Sequence, residues 1–188
     1  MPRVGLLSDS HGHVHRTSAA ARLLVDHGAD LLIHLGDIGG PAVIDALVVS
    51  PSSESAQAAP LTSAQSHVPA SENTILETHL VFGNTDWDIR GDTRYSIALG
   101  LNVDHPAGRL VFGEQELAFT HGHEHRLMRR AIDCRVTWLC HGHTHQKADG
   151  RQGGTRVINP GALQRAATYT VALLDTDTDQ LTFHTIAR

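Results

Sequence analysis

The sequence predicts an α/β protein in which two mixed β-sheets pack against each other and helices cover their outer faces. In the first half, apolar runs alternate with helical segments, an order typical of right-handed parallel strand–helix–strand units. In the second half, segments that alternate apolar and polar residues indicate antiparallel strands with one face in water. The 188 residues are enough for a substantial core, so we expect one domain spanning residues 1–188.

The first half alternates predicted strands and helices. The strands are short apolar runs of the kind that is buried on both faces of a sheet. The first helix ends at Gly28, a common stop signal, and the second begins at Pro41, because proline favours the first helical turn. In chain order, these strands and helices are residues 3–7, 14–27, 31–35, 41–49 and 80–82.

The second half is predicted to be richer in strands. A turn at residues 113–115 joins two apolar segments into a hairpin, and a helix is predicted at residues 123–133. The last two strands alternate apolar and polar side chains, which indicates one exposed face. The predicted strands are residues 109–112, 116–120, 136–140, 156–159, 169–174 and 180–185.

Residues 50–73 differ in composition from the rest of the chain. Nearly all are Ser, Ala, Pro, Gln, Thr and Glu, with few large apolar side chains and no clear period. Such a segment buries too little apolar surface to offset the entropy that ordering would cost. We therefore expect a flexible surface insertion, with a mobile lid over a functional site as the alternative.

Composition restricts the partners and the compartment. A net charge of −5 argues against a general nucleic-acid or membrane surface. The apolar stretches are too short to span a bilayer, and a predicted strand at residue 3 leaves no room for a signal peptide. Two cysteines are too few for a disulfide framework. We expect a cytoplasmic protein that acts on a small molecule. The sequence leaves open whether it forms a homo-oligomer.

The motif His-Gly-His-x-His occurs three times, at residues 11–15, 121–125 and 141–145, and contains nine of the fifteen histidines. Each copy closely follows a predicted strand. In an extended segment, residues two apart point to the same side, so each copy can direct two imidazoles to one point. Imidazole binds zinc, iron, nickel and similar ions. The motif therefore predicts a metal site at the ends of several strands.

Carboxylates and an amide follow the same strand ends. Asp9 lies two residues before His11, Asp37 follows the second strand, and Asn84 follows the third. Two sites sharing Asp37 as a bridge would use both of its oxygens, and the neutral Asn84 would keep the net charge positive and attractive to phosphate. The first site would consist of Asp9, His11, Asp37 and His145, and the second of Asp37, Asn84, His121 and His143.

Five motifs occur in a fixed order: Asp9-x-His11, Gly36-Asp37, Gly83-Asn84, His121 and Gly142-His143-Thr144-His145. This series resembles the calcineurin-like metallophosphoesterase family, and it looks closest to the small single-domain phosphodiesterase branch of bacteria and archaea. The segment Asn159-Pro160-Gly161-Ala162 resembles a turn common in that branch. The resemblance implies a four-layer αββα sandwich with metals at the strand ends.

The resemblance also implies a function. We expect a dinuclear phosphoesterase that hydrolyses phosphodiesters through a metal-bridging hydroxide, with Asp37, Asn84 and His123 as catalytic residues. Two divalent ions are expected, manganese first, with iron, zinc, nickel and cobalt as alternatives. A phosphomonoesterase or nucleotide pyrophosphatase could use the same site. The alternative from another functional class is a non-catalytic scaffold, such as the retromer subunit that resembles this fold.

One position departs from the family pattern. Many relatives have a histidine after the Gly-Asn pair, where it can protonate the leaving group, but this chain has Thr85. A threonine hydroxyl is too weak an acid for that task near neutral pH. Either Asp86, His123 or a metal-bound water replaces the histidine, or the substrate has a leaving group that needs no proton. The second alternative predicts faster hydrolysis of aryl than of alkyl phosphodiesters.

Overall fold

The computed structural model describes residues 1–51 and 75–188. Apart from Ser50 and Pro51, the predicted insertion at residues 50–73 lies outside the described residues. The described chain contains, in order, β1 (Arg3–Leu7), α1 (Val14–Asp26), β2 (Leu31–His34), α2 (Pro41–Asp45), β3 (Glu77–Leu80), α3 (Ile89–Ala98), β4 (Asn102–Val103), β5 (Ala107–Phe112), β6 (Gln115–Thr120), α4 (His125–Asp133), β7 (Trp138–Cys140), β8 (Ala148–Gln152), β9 (Thr155–Asn159), β10 (Tyr169–Asp175) and β11 (Gln180–Ile186).

The strands form two mixed sheets, which confirms the predicted fold class. The first sheet has the order β11-β10-β1-β2-β3-β4, and the second has the order β5-β6-β7-β9-β8. In the first, β1, β2 and β3 are parallel to one another. At one side of them, β10 pairs antiparallel with β1, and β11 pairs antiparallel with β10. In the second, β6, β7 and β9 are parallel, and the β5–β6 hairpin forms one edge.

Three apolar cores separate four layers. The central core joins the two sheets and contains Leu6 of β1, Phe119 of β6 and Trp138 of β7. A second core lies between the first sheet and its helices, where Leu24 of α1 is fully buried. A smaller third core packs α4 against the second sheet. Among the described residues, no helix is long and apolar enough to cross a membrane.

The parallel strands end at a common edge where the functional loops meet. Backbone pairing continues past β1 and β2, since Asp9 N donates to Gly36 O at 3.0 Å and His11 N donates to Asp37 O at 2.9 Å. In the second sheet, Gly142 N donates to His121 O at 2.9 Å. Ligands and substrates in open α/β sheets bind outside the carboxyl ends of parallel strands. The fold therefore presents both sets of loops where a site is expected.

Two predicted elements have a boundary that is wrong by more than two residues. The third strand was predicted at residues 80–82, but β3 spans Glu77–Leu80, with Glu77 exposed beside the polar pair Thr78 and His79. The second helix was predicted to reach Val49, but α2 ends at Asp45. Val81 and Phe82 are nevertheless fully buried, because the chain continues into the core after the strand ends. The run from Leu80 to Phe82 is therefore apolar because its side chains are buried, and not because all three residues pair in a strand.

Candidate metal centre

Four side chains converge at the end of the first sheet. One ligand-type atom from each of Asp9, His11, Asp37 and His145 lies within 4.8 Å of the others. His11 Nε2 is 3.2 Å from His145 Nε2 and 3.6 Å from Asp37 Oδ2. His145 Nε2 is 3.2 Å from Asp9 Oδ1. Two imidazoles and two carboxylates around one point form a donor set suited to a divalent transition-metal ion.

Asp9 tests whether these residues fit a cation. Its side chain is 0% exposed, and its Oδ2 accepts hydrogen bonds from Ser8 Oγ at 2.6 Å and from His143 N at 3.1 Å. Its Oδ1 is buried and has no hydrogen bond within the described residues, since the contact with His145 does not have hydrogen-bond geometry. A buried carboxylate oxygen without a donor is costly unless a cation neutralises it. The arrangement therefore fits a metal ion beside Asp9.

The other oxygen of Asp37 faces a second group. Asp37 Oδ1 accepts a hydrogen bond from Thr85 N at 3.0 Å and lies 3.5 Å from His121 Nε2. His121 Nε2 is also 3.2 Å from Asn84 Oδ1. The opposite nitrogen, His121 Nδ1, is 2.7 Å from Leu35 O, a backbone acceptor that orients the ring with Nε2 toward Asp37. Asp37 thus presents one oxygen to each group.

Two of the seven predicted ligands, Asn84 and His143, are exposed residues. The His143 ring centroid lies 5.1 Å from that of His121. The backbone N–H of His143, rather than its ring, contacts Asp9. The structure therefore brings six predicted side chains into two groups around Asp37 and leaves the His143 ring at the open side of the second group.

Asp37 and His121 each favour the charged form of the other. Burial would raise the pKa of Asp37, but hydrogen bonds from His121 and Thr85 hold it well below its usual range. Burial lowers the pKa of His121, but the Asp37 carboxylate outweighs this effect and raises it. The position of His121 Nε2 beside Asp37 is therefore one that favours positive charge, as a bound cation would supply.

Backbone strain is concentrated at the same residues. Non-glycine residues with positive φ are uncommon, because the Cβ atom crowds the backbone in that region. Five of the eight in the described chain belong to the candidate site: Asp9 (φ 56°), His11 (43°), Asp37 (53°), His143 (68°) and His145 (59°). Such strain persists where the surrounding structure fixes the conformation, typically at functional sites.

A buried histidine connects the loops that follow β1 and β2. His34 Nδ1 accepts a hydrogen bond from Gly36 N at 3.2 Å, so the proton of the neutral ring is on Nε2. That nitrogen lies 2.8 Å from Ser10 Oγ, which in turn lies 2.8 Å from Thr17 Oγ1. Burial lowers the pKa of His34 to about 3, which keeps the ring neutral. His34 therefore fixes the position of Ser10, which lies between Asp9 and His11, relative to Gly36, which precedes Asp37.

Asp86 connects two loops of the site through backbone hydrogen bonds. Its carboxylate accepts backbone hydrogen bonds from Ile38 N at 3.2 Å, Gly39 N at 2.9 Å and Gly83 N at 2.8 Å. These bonds join the loops after β2 and β3, which carry Asp37 and Asn84. Asp86 therefore supports the site through backbone rather than through an imidazole.

His123 and Arg165 border the two groups. The His123 ring centroid lies 5.4 Å from that of His121, and its buried Nδ1 has no hydrogen-bond partner among the described residues. Arg165 was not predicted, and it lies exposed beside the site, where its backbone O is 3.3 Å from His145 Nδ1. The available signal was the turn beginning at Asn159, whose side chain donates to Gly142 O at 2.9 Å.

One family profile matches nearly the whole chain. Residues 3–179 match the family profile described as the calcineurin-like phosphoesterase superfamily domain. No curated protein sequence matches the chain.

Solved structures share the fold at low sequence identity. An archaeal phosphodiesterase superimposes with a TM-score of 0.77 at 20% identity, covering 97% of this chain and 99% of that one. The E. coli phosphoesterase YfcE gives 0.63 at 21% identity, covering 98% and 100%. Vps29 from Entamoeba histolytica in complex with Zn²⁺ gives 0.59 at 18% identity, covering 97% and 91%.

Proposed function

The chain belongs to the calcineurin-like phosphoesterase superfamily, and from this premise we propose that it is a dinuclear metal-dependent phosphodiesterase. One observation carries the proposal: Asp37 directs Oδ2 toward His11 at 3.6 Å and Oδ1 toward His121 at 3.5 Å. Only a carboxylate offers two anionic oxygens to two neighbouring cations. The likeness to an archaeal phosphodiesterase supports the diester class.

Two divalent cations would supply Lewis acidity, which lowers the pKa of water and stabilises negative charge on phosphoryl oxygens. Imidazole, carboxylate and amide ligands together suit manganese, with iron, zinc, nickel and cobalt as alternatives. Asp9, His11, Asp37 and His145 would hold one cation, and Asp37, Asn84, His121 and His143 would hold the other.

The remaining side chains would bind and orient the substrate. Arg165 has no ion-pair partner in the described part of the chain, so its guanidinium is available to a phosphate oxygen. The His123 ring lies beside the second group, with its centroid 5.4 Å from that of His121, where it would contact the phosphate. Thr85 donates its backbone N–H to Asp37 and supplies no acid for the leaving group. We therefore propose substrates whose leaving group departs without a proton.

We further propose a single domain that works in the cytoplasm on a small-molecule ester. Cys134 and Cys140 are both free thiols, a state that a reducing compartment preserves. The net charge of −5 leaves no general attraction for nucleic acid or anionic lipid.

A substrate and metal screen tests the function. Purified protein, stripped with chelator, is reloaded with Mn, Ni, Zn, Co or Mg and assayed on phosphomonoesters, phosphodiesters and nucleotides. We expect hydrolysis of diesters, with manganese the strongest activator. Asp37→Asn is the control, because losing one anionic oxygen at the shared position should disable both sites. A folded wild-type chain that binds no metal and hydrolyses none of these esters would favour the scaffold and contradict the proposal.

A further inference from the structure

A cavity of about 570 Å³ opens directly beside the candidate metal centre. Its walls include His11 and Thr85 from the site, and Trp87, Asp92 and Arg165 from outside it. Small-molecule sites typically have volumes of roughly 300–1,000 Å³. The cavity is therefore large enough for a substituent of the ester whose phosphorus sits at the metal centre.

Trp87 is exposed to an unusual degree for its type. The side chain is 97% exposed, whereas Trp138, the only other tryptophan of the chain, is 1% exposed in the central core. Trp87 follows Asn84 by three residues, in the segment between β3 and α3. A large aromatic ring held at the wall of a cavity offers a flat face on which another planar ring can stack.

Asp92 supplies a polar group to the same cavity. The residue is 7% exposed, and its carboxylate has no hydrogen-bond partner among the described residues. Of the two neighbouring acids, Asp86 accepts three backbone N–H bonds, and Asp88 is exposed and accepts one from Gly91 N at 3.0 Å. Asp92 is therefore the buried carboxylate of this wall that is left for a ligand hydroxyl or amino group.

Charge indicates which side chains of the cavity take the phosphate. Arg165 and His11 both line the cavity, and Arg165 carries a positive charge. Trp87, Asp88 and Asp92 come from the segment after β3 and from α3. A ligand that combines an anionic group with a polar group and a planar ring matches these side chains.

We infer that this cavity is a nucleoside subsite, so that the substrates are phosphodiesters carrying a nucleoside. The base stacks on Trp87, a hydroxyl group of the sugar donates to Asp92, and the phosphate lies between Arg165 and the metal ligands. The expected effect on kinetics rests on the proposed phosphodiesterase function. Nucleotide binding can be measured without hydrolysis, so the nucleoside subsite and the phosphodiesterase function can be contradicted separately.

Tryptophan fluorescence tests binding on chelator-treated protein. Adenosine 5′-monophosphate should quench the emission in a saturable way, while ribose 5-phosphate should not, because only the first has a ring that stacks on Trp87. Trp87→Leu should abolish the quenching, since the remaining Trp138 is buried. Quenching that persists in Trp87→Leu, or that is absent from wild type, would overturn the inference.

Kinetics test the specificity with two substrates that share a leaving group. Thymidine 5′-(4-nitrophenyl phosphate) carries a nucleoside, and methyl 4-nitrophenyl phosphate does not. Trp87→Leu should raise KM about fivefold or more for the first substrate, as expected for loss of base stacking, and less than twofold for the second, with kcat little changed. Asp92→Ala should likewise raise KM more for the thymidine ester than for the methyl ester.

Three results separate the claims. If wild type hydrolyses neither diester with any metal, the proposed function fails while the fluorescence result still decides the subsite. If Trp87→Leu changes KM equally for both substrates or for neither, the nucleoside subsite is wrong. If Trp87→Leu instead changes the molecular mass in solution without changing KM, the ring belongs to an interface between chains, which also overturns the inference.

Discussion

His11 Nε2 and His145 Nε2 lie 3.2 Å apart although the two residues are separated by 134 positions in the chain. Each of these nitrogens also faces a carboxylate, His11 facing Asp37 and His145 facing Asp9. Two neutral imidazoles can share one proton at this distance, but the buried Asp9 Oδ1 beside them would still lack a donor. A cation between the four side chains satisfies all of them.

Removing the charge of Asp9 should stabilise the metal-free protein and abolish its response to metal. In Asp9→Asn, the carbonyl oxygen can keep the bonds from Ser8 and His143, and the uncompensated buried charge disappears. We expect the free energy of unfolding in chelator to rise by about 1–2 kcal/mol. Manganese should raise the Tm of wild type, because it binds only the native state, but not that of the variant. Thermal denaturation with and without manganese measures both effects.

Asp177→Asn is the matched control for Asp9→Asn, because its side chain is 67% exposed and lies outside the site. It should respond to manganese like wild type. A metal-free Asp9→Asn protein that is less stable than wild type would contradict the role assigned to Asp9.

A methyl group at Gly83 should disable the site. A Cβ atom there would lie 2.6 Å from Asp37 N and would also overlap the Asp37 carboxylate, so the shared ligand would have to move. Gly83→Ala should therefore lose bound metal and activity together. Gly150→Ala is the control, because its Cβ would meet no atom within 4 Å. Elemental analysis of the purified variants decides, and full metal occupancy in Gly83→Ala would refute the claim that this close approach matters.

Acid should destabilise the protein partly through His34. Its pKa is about 3 in the folded protein against 6.5 for an ordinary histidine, so between these values the unfolded chain binds a proton that the native chain does not. Stability consequently falls as the pH falls below about 6.5, by up to about 1.4 kcal/mol per pH unit for one proton. The free energy of unfolding of His34→Asn should be lower than that of wild type near pH 7.5. It should also depend less on pH, because the variant lacks a group that takes up roughly one proton on unfolding.

Urea unfolding of chelated protein between pH 7.5 and 5 measures the His34 effect. His125→Asn removes an exposed imidazole at the start of α4 and should leave the pH dependence as in wild type. If His34→Asn and wild type have the same pH dependence, the buried neutral ring described here is wrong.

The leaving group should determine the rate. Thr85 offers no proton, so aryl phosphodiesters should react much faster than alkyl ones, and Thr85→His should narrow that ratio by supplying an acid. Rates on 4-nitrophenyl and ethyl esters of the same phosphate measure the ratio. Equal wild-type rates on the two esters would show that His123 or another group already donates the proton.

The two sheets and the convergence of Asp9, His11, Asp37 and His145 could be predicted from the sequence because both leave local patterns. Short apolar runs followed by Asp9, Asp37 or His121 mark strand ends, and the parallel order of the strands brings those ends together. The roles of individual ligands stay predictions, and the exposed ring of His143 is the detail that sequence spacing could not anticipate.

Two elements left no comparable pattern. The helix α3 contains Gly91, and its buried residues are Asp92 and Ser96, so no apolar stripe marks it. Its signal was the acid Asp88, which caps the helix by accepting from Gly91 N. All five residues of β8 are exposed, because it is an edge strand held only by β9, and alternation of apolar and polar residues is therefore absent.

The position of Arg165 and the cavity beside the site depend on tertiary structure alone. Arg165 lines that cavity together with His11 because the turn at Asn159 returns the chain to the loops of the site, a proximity that sequence cannot show. The cavity forms between the segments after β2 and β3, so Trp87 could equally have been a core residue when judged from sequence.

Anomalous diffraction from crystals soaked in manganese tests the central claim most directly. We expect two peaks per chain about 3.5–4 Å apart, with the Asp37 carboxylate between them and Asp9, His11 and His145 around one peak. A single peak, or two peaks that do not share Asp37, would contradict the dinuclear centre on which the proposed activity depends.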